Sequence, residues 1–145
     1  MTIEEKQQLN SELLPIYEQV PVYKEAADLL IFTYGLSERF RRAHRYSLGE
    51  DMRFVLHDLL DSIYDAHVIT PRSPMILKAL RLCNSAKLLY RAMDAQNLLR
   101  DWQCAEYIAH LGSTSKQLTA WYKYERKKEN KDKTKLELTA PTGGT

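Results

Sequence analysis

The sequence predicts an all-helical protein, an antiparallel up-down-up-down four-helix bundle. Apolar residues recur at three- and four-residue spacing in four successive segments of about 20 residues each. Five Gly and five Pro in 145 residues are too few for the many turns of an all-β protein. The connections between the four segments are short, which favours antiparallel neighbours. No strand-like alternation and no internal repeat competes with this pattern.

The first 20 residues form a polar N-terminal segment with room for a short helix before Pro15. Pro21 suits the first turn of a helix, where a missing N–H costs nothing. Val22, Ala26, Leu29, Leu30, Thr33, Ser37 and Phe40 then share one face, and the helix is expected over 21–42. The second helix opens at Ser47-Leu48-Gly49-Glu50, the spacing of a capping box, and carries Leu48, Met52, Val55, Leu56, Leu59, Ile63 and Ala66 as far as His67. Pro71 and Pro74 break the chain. The third helix, 74–95, presents Met75, Ala79, Leu82, Cys83, Ala86, Leu89, Tyr90 and Met93. After a turn near Asn97 the fourth helix, 101–124, is expected to face inward with Cys104, Ile108, Leu111, Ser115, Leu118 and Tyr122. The bundle thus occupies 21–124, and the Lys-rich stretch 125–145 reads as a basic disordered tail.

Composition narrows the function. With 44% apolar and 28% charged residues the chain has an ordinary globular balance, long enough for a core without staples. No apolar run approaches the ~20 residues of a membrane span. The charged start, Met1 to Lys6, lacks a signal-peptide layout, and the cytoplasm is the expected compartment. Cys83 and Cys104 both fall at apolar-face positions, where reduced, buried thiols are expected. Neither a Gly-rich phosphate loop nor paired cysteines at zinc spacing occurs. The histidines are His44, His57, His67 and His110, and none follows an acid at the spacing a di-iron bundle uses. His57 lies one turn from Asp61, more simply a solvated acidic face than a metal site. No enzyme chemistry and no cofactor is expected.

Charge is unevenly placed although the total is only +2. Residues 72–100 hold Arg72, Lys78, Arg81, Lys87, Arg91 and Arg100 against Asp94 alone, a net of +5. Residues 47–70 hold Glu50, Asp51, Asp58, Asp61 and Asp65 against Arg53, a net of −4. Arg39, Arg41, Arg42, His44 and Arg45 crowd the turn after the first helix. On the third helix Lys87 and Arg91 lie within about 40° of each other, opposite the apolar stripe. Like charges four apart mildly repel, a cost acceptable where a polyanion or acidic partner faces them. The plain alternative is a solvated face, or pairing with acids of the second helix. Leu77, Leu80 and Leu88, Phe54 and Tyr64, and a small-residue face of Ala105, Ala109, Gly112, Ser113 and Ala120 beside Trp102 all lie off the main stripes. They suggest burial between subunits, with a wide core stripe as the alternative.

Several segments carry a resemblance: Val22-Tyr23-Lys24, Arg45-Tyr46-Ser47-Leu48-Gly49-Glu50, Lys87-Leu88-Leu89-Tyr90-Arg91-Ala92-Met93-Asp94, and Ile108 through Trp121. Together they span about residues 20–124. They resemble the four-helix-bundle proteins related to those encoded in 23S rRNA intervening sequences, and among them the accessory variability proteins of diversity-generating retroelements. The resemblance implies a ring-like homopentamer with a basic surface and no catalytic residues. It further implies binding to a reverse transcriptase and to RNA or DNA through phosphate contacts, in support of mutagenic cDNA synthesis. The family's partner-binding cation pair on the third helix falls on Lys87 and Arg91. Lys87 stands where Arg is familiar, and Thr119-Ala120 where glycines usually precede the Trp. With the charge map, the expected binding residues are Lys87, Arg91, Arg81, Lys78, Arg72, Arg41, Arg42 and Arg45. A second reading keeps the fold as an oligomeric interaction protein with no nucleic-acid role.

Overall fold

A computed structural model of the chain describes residues 1–139; it is all-helical, with no strand among the described residues. The elements are α1 (Ile3–Leu13), α2 (Pro15–Gln19), α3 (Pro21–Ser37), α4 (Arg42–His44), a π-helical turn (Arg45–Gly49), α5 (Glu50–Val68), α6 (Ser73–Ala95) and α7 (Asp101–Thr139). The long helices pack α3 on α5, α5 on α6, α6 on α7 and α7 back on α3. All seven stripe residues of the first core helix are buried, from Val22 to Phe40. Met52, Leu56, Leu59, Ile63 and Ala66 of α5 meet Ala79, Cys83, Ala86 and Met93 of α6 in the same core. Ile76, off the expected stripe, is fully buried with them. α1 is closed by a capping box between Thr2 and Glu5 but buries nothing, so it lies outside this core.

The chain leaves α3 at Ser37, earlier than the sequence pattern suggests, and re-enters helix through α4 and the π turn. The Ser47–Glu50 capping box does not form. By Ser47 the backbone is already helical, so its hydroxyl donates back to the Ala43 carbonyl at 2.9 Å. Gly49 is what lets the π turn lie against α3: a Cβ there would sit 3.1 Å from Cβ of Ser37. Ser37 is itself buried and accepts from the Arg53 guanidinium at 2.6 Å.

α7 differs from expectation in register and in length. Its buried face is Gln103, Tyr107, Leu111, Thr114, Leu118 and Glu125, while Ile108 is 59% exposed. The buried face is thus rotated by roughly 60° from the expected stripe, with Leu111 and Leu118 common to both. The rotation seats Tyr107, which is edge-on to Phe32 at 5.3 Å and stacked on Tyr90 at 5.9 Å between ring centroids. The Thr33 hydroxyl donates to the Leu29 carbonyl, so Tyr107 O–H donates to Thr33 Oγ1 across 2.8 Å. Burial pushes the Tyr107 phenol up to about 12.

The helix also continues past 124 to Thr139, where the Lys-rich composition predicts a disordered tail. No Gly or Pro interrupts the chain from 113 to 140, and its Lys, Glu, Arg and Leu content favours helix. Two acids tie the extension down. Buried Glu125 accepts from Trp121 Nε1 at 3.3 Å and lies 3.8 Å from Arg72. Glu129 accepts from both the backbone N–H and the hydroxyl of Ser73, at 3.2 and 2.6 Å. Residues 140–145, the rest of the expected tail, lie outside the described residues.

Candidate nucleic-acid and partner interface

α6 buries one face against α5 and α7, which leaves Lys78, Arg81, Leu88 and Arg91 exposed on its outer side. Leu88 is 69% exposed amid these cations. No carboxylate lies within 4.0 Å of Lys78, Arg81 or Arg91 among the described residues. The acids of α5 are therefore not consumed by these cations within the chain.

Lys87 is different from its neighbour. It is half-buried at the α6–α7 seam, and its ammonium donates to the Ser115 hydroxyl of α7 at 3.1 Å. Its charge bears on the core as well: burial pushes the Cys83 thiol up to about 11, with Lys87 opposing that rise. Lys87 and Arg91 edge a groove of about 230 Å³ whose remaining walls are Tyr90, Leu111, Gly112 and Ile108. The outward rotation of Ile108 puts an aliphatic side chain beside the two cations. Nothing in the periodicity signals this, because Ile108 completes an apolar heptad that leads inward.

The other expected binding residues divide by place. Arg72 lies at the far end of α6 and is turned inward, toward Glu125 and the His67 carbonyl at 3.4 Å. Arg45 also folds back, donating to the Phe40 carbonyl at 3.4 Å, with its Nε buried and unpaired. Arg42 sits over the Tyr46 ring at 6.0 Å. Arg41 stays exposed at the turn after α3. The eight residues thus do not form one patch: four line the outer face and seam of α6, three cluster at the α3–α5 turn, and Arg72 is engaged in anchoring α7.

Two of the four histidines have local partners. His57 Nε2 lies 2.9 Å from the Tyr34 hydroxyl, and His110 bridges Glu25 and Glu106 at 3.2 and 3.3 Å. Cys83 and Cys104 are both free thiols. Burial raises the Cys104 thiol, and Asp94, 3.5 Å from its sulfur, adds to the rise. Neither thiol is set up as a nucleophile, which needs a depressed pKa. No helix is long and apolar enough to cross a membrane among the described residues. Comparison of the chain with protein-family models, with curated proteins and with solved structures finds no match.

Proposed function

We propose that this protein is a non-catalytic accessory subunit of a diversity-generating retroelement, binding the reverse transcriptase and nucleic acid in support of mutagenic cDNA synthesis in the cytoplasm. On this reading α3, α5, α6 and α7 form an up-down-up-down four-helix bundle, five copies of which assemble as a ring. The reading originates in the resemblance of residues 20–124. Its main support is the α6–α7 groove, where Lys87 and Arg91 stand beside exposed Ile108. A cation pair next to an aliphatic wall suits a protein segment that presents an acid and an apolar side chain together. The unpaired cations Lys78, Arg81 and Arg91 extend that edge and suit phosphate contacts.

Co-expression with a retroelement reverse transcriptase tests the partner, and light scattering tests the assembly. The expected results are co-purification and a mass several times 16.9 kDa. A monomer at micromolar concentration removes the ring. Failure to bind both the enzyme and nucleic acid, with the oligomer intact, leaves the second reading, an interaction protein without a nucleic-acid role.

A further inference from the structure

The α3–α4 turn and the α6–α7 turn lie at the same end of the helices and border an open cavity of about 410 Å³. Arg39, Arg41 and His44 line it from one side, Gln96 and Asn97 from the other. Its volume lies within the range of small-ligand sites, roughly 300–1,000 Å³. No carboxylate lies within 4.0 Å of Arg39, Arg41 or His44 among the described residues, and neither guanidinium has a hydrogen-bond acceptor among them. α3 and α6 both end here, and the negative ends of their dipoles favour nearby cations. That explains the presence of positive charge, but not a concave wall with amide groups opposite it.

The turn residues are shaped for this arrangement. Asn97 has a left-handed backbone, φ 58°, and its N–H bonds the Asp94 carbonyl at 2.9 Å while Leu98 N–H bonds Met93 at 3.0 Å. These bonds satisfy the end of α6 with backbone groups, so the Asn97 side-chain amide is not needed as a cap. Arg42 and Arg45 turn away to Tyr46 and Phe40, so Arg39, Arg41 and His44 are the members of the basic run that line the cavity. Two guanidiniums offer fork-like donors to tetrahedral oxygens, an imidazole adds a third donor, and carboxamides supply neutral ones.

We propose that this cavity is a phosphate-binding site, taking the phosphate of a nucleotide or nucleic-acid strand. Only the source of the phosphate rests on the nucleic-acid reading above; the site itself stands on the cavity and its donors. It is separate from the α6–α7 groove, sharing no lining residue with it.

The experiment is titration calorimetry on the full chain with three probes: inorganic phosphate, a short 5′-phosphorylated single strand, and the same strand with a 5′-hydroxyl. Arg39→Ala/Arg41→Ala removes two charge-assisted bonds and should weaken every phosphate-bearing probe that binds by roughly 100-fold or more. Asn97→Gly keeps the left-handed backbone at no steric cost and removes only the amide, so a loss of roughly two- to tenfold is expected. Phosphate binding without strand binding supports the site and assigns it a small phosphorylated ligand, at the expense of the nucleic-acid reading. Absence of any phosphate binding, or equal affinity in the Arg39/Arg41 variant, overturns the site. That result leaves co-purification with the reverse transcriptase to be judged separately.

Discussion

Glu129 on α7 accepts two hydrogen bonds from Ser73, one from its backbone N–H and one from its hydroxyl, and so caps α6 from another helix. The first turn of a helix carries N–H groups with no partner of their own, and a carboxylate there also meets the positive end of the dipole. Hydrogen bonding by the Ser73 side chain is the main reason the Glu129 carboxyl is held below its ordinary value of 4.5. A lowered carboxylate contributes stability above its unfolded pKa and loses it as pH falls through the folded value. Glu129→Ala should therefore cost about 1 kcal/mol at neutral pH, the scale of a lost N-cap. Urea melts of the two proteins should converge as the pH drops below about 4. A pH-independent difference would assign the effect to packing.

Truncation tests the same contact more broadly. A chain ending at Asn130 keeps both Glu125 and Glu129 and should melt close to the full-length protein. One ending at Tyr124 strands Arg72 and the start of α6. With two polar anchors lost, about 2 kcal/mol, its melting temperature should fall by roughly 8 °C. Equal melting of the two truncations would show that α7 past Tyr124 contributes nothing to the core.

Tyr107→Phe removes only the hydroxyl that meets Thr33. Thr33 keeps its own bond to Leu29, so no buried donor is orphaned, and the expected cost is about 1 kcal/mol. Tyr107→Ala also empties the space between Phe32 and Tyr90 and should cost about 3–5 kcal/mol. Chemical denaturation of both variants checks the ratio. Similar losses would mean that the hydroxyl, not the ring, dominates.

Lys87→Ala/Arg91→Ala should lower stability by less than about 1 kcal/mol, because Arg91 has no acid partner and Lys87 loses one bond to Ser115. The same variant should substantially lower reverse-transcriptase co-purification on the function proposed. Single substitutions refine this: Lys87 alone should carry nearly all of the stability change. A large drop in melting temperature would make the pair structural.

Gly49→Ala would ordinarily gain about 0.5–1 kcal/mol in a helix. Here the new methyl meets Ser37 at 3.1 Å, and Ser37 is held by burial and Arg53. Overpacking of about 1–3 kcal/mol should outweigh the gain, for a net loss of about 1 kcal/mol. Gly112→Ala is the control, since nothing lies within 4 Å of its added Cβ. Urea midpoints should move in opposite directions for the two.

The sequence displayed the helices well wherever apolar spacing had one solution. α3 is such a case, with every stripe residue buried. α7 had two solutions, because Leu111 and Leu118 belong to both the Ile108 register and the Tyr107 register. Hydrophobicity favours Ile108, but the observed choice rests on a ring that fills the α3–α6–α7 junction and a hydroxyl that finds Thr33. Those are pairings across helices, absent from any single segment. The extension beyond Tyr124 was illegible for a related reason: Glu125 and Glu129 look like members of a solvated charge run until Arg72 and Ser73 are placed opposite. The same holds for the cations. Arg41 and Arg45 look equivalent in the string, yet one lines a cavity and the other folds back on Phe40.

From Asn130 to Leu138 every side chain of α7 is exposed, past the last anchor at Glu129. At 1.5 Å per residue the 39-residue helix is about 58 Å long, and about 15 Å of it lies beyond that anchor. A single chain therefore has an axis: spinning about α7 displaces little solvent, whereas turning end over end sweeps the projecting turns through it. Rotational diffusion of the unassembled chain should be visibly anisotropic. Backbone amides along α7, whose N–H vectors lie parallel to the slow axis, should relax as if in a larger molecule than amides lying across it. Ending the chain at Asn130 should narrow that spread without touching the clamp on Ser73.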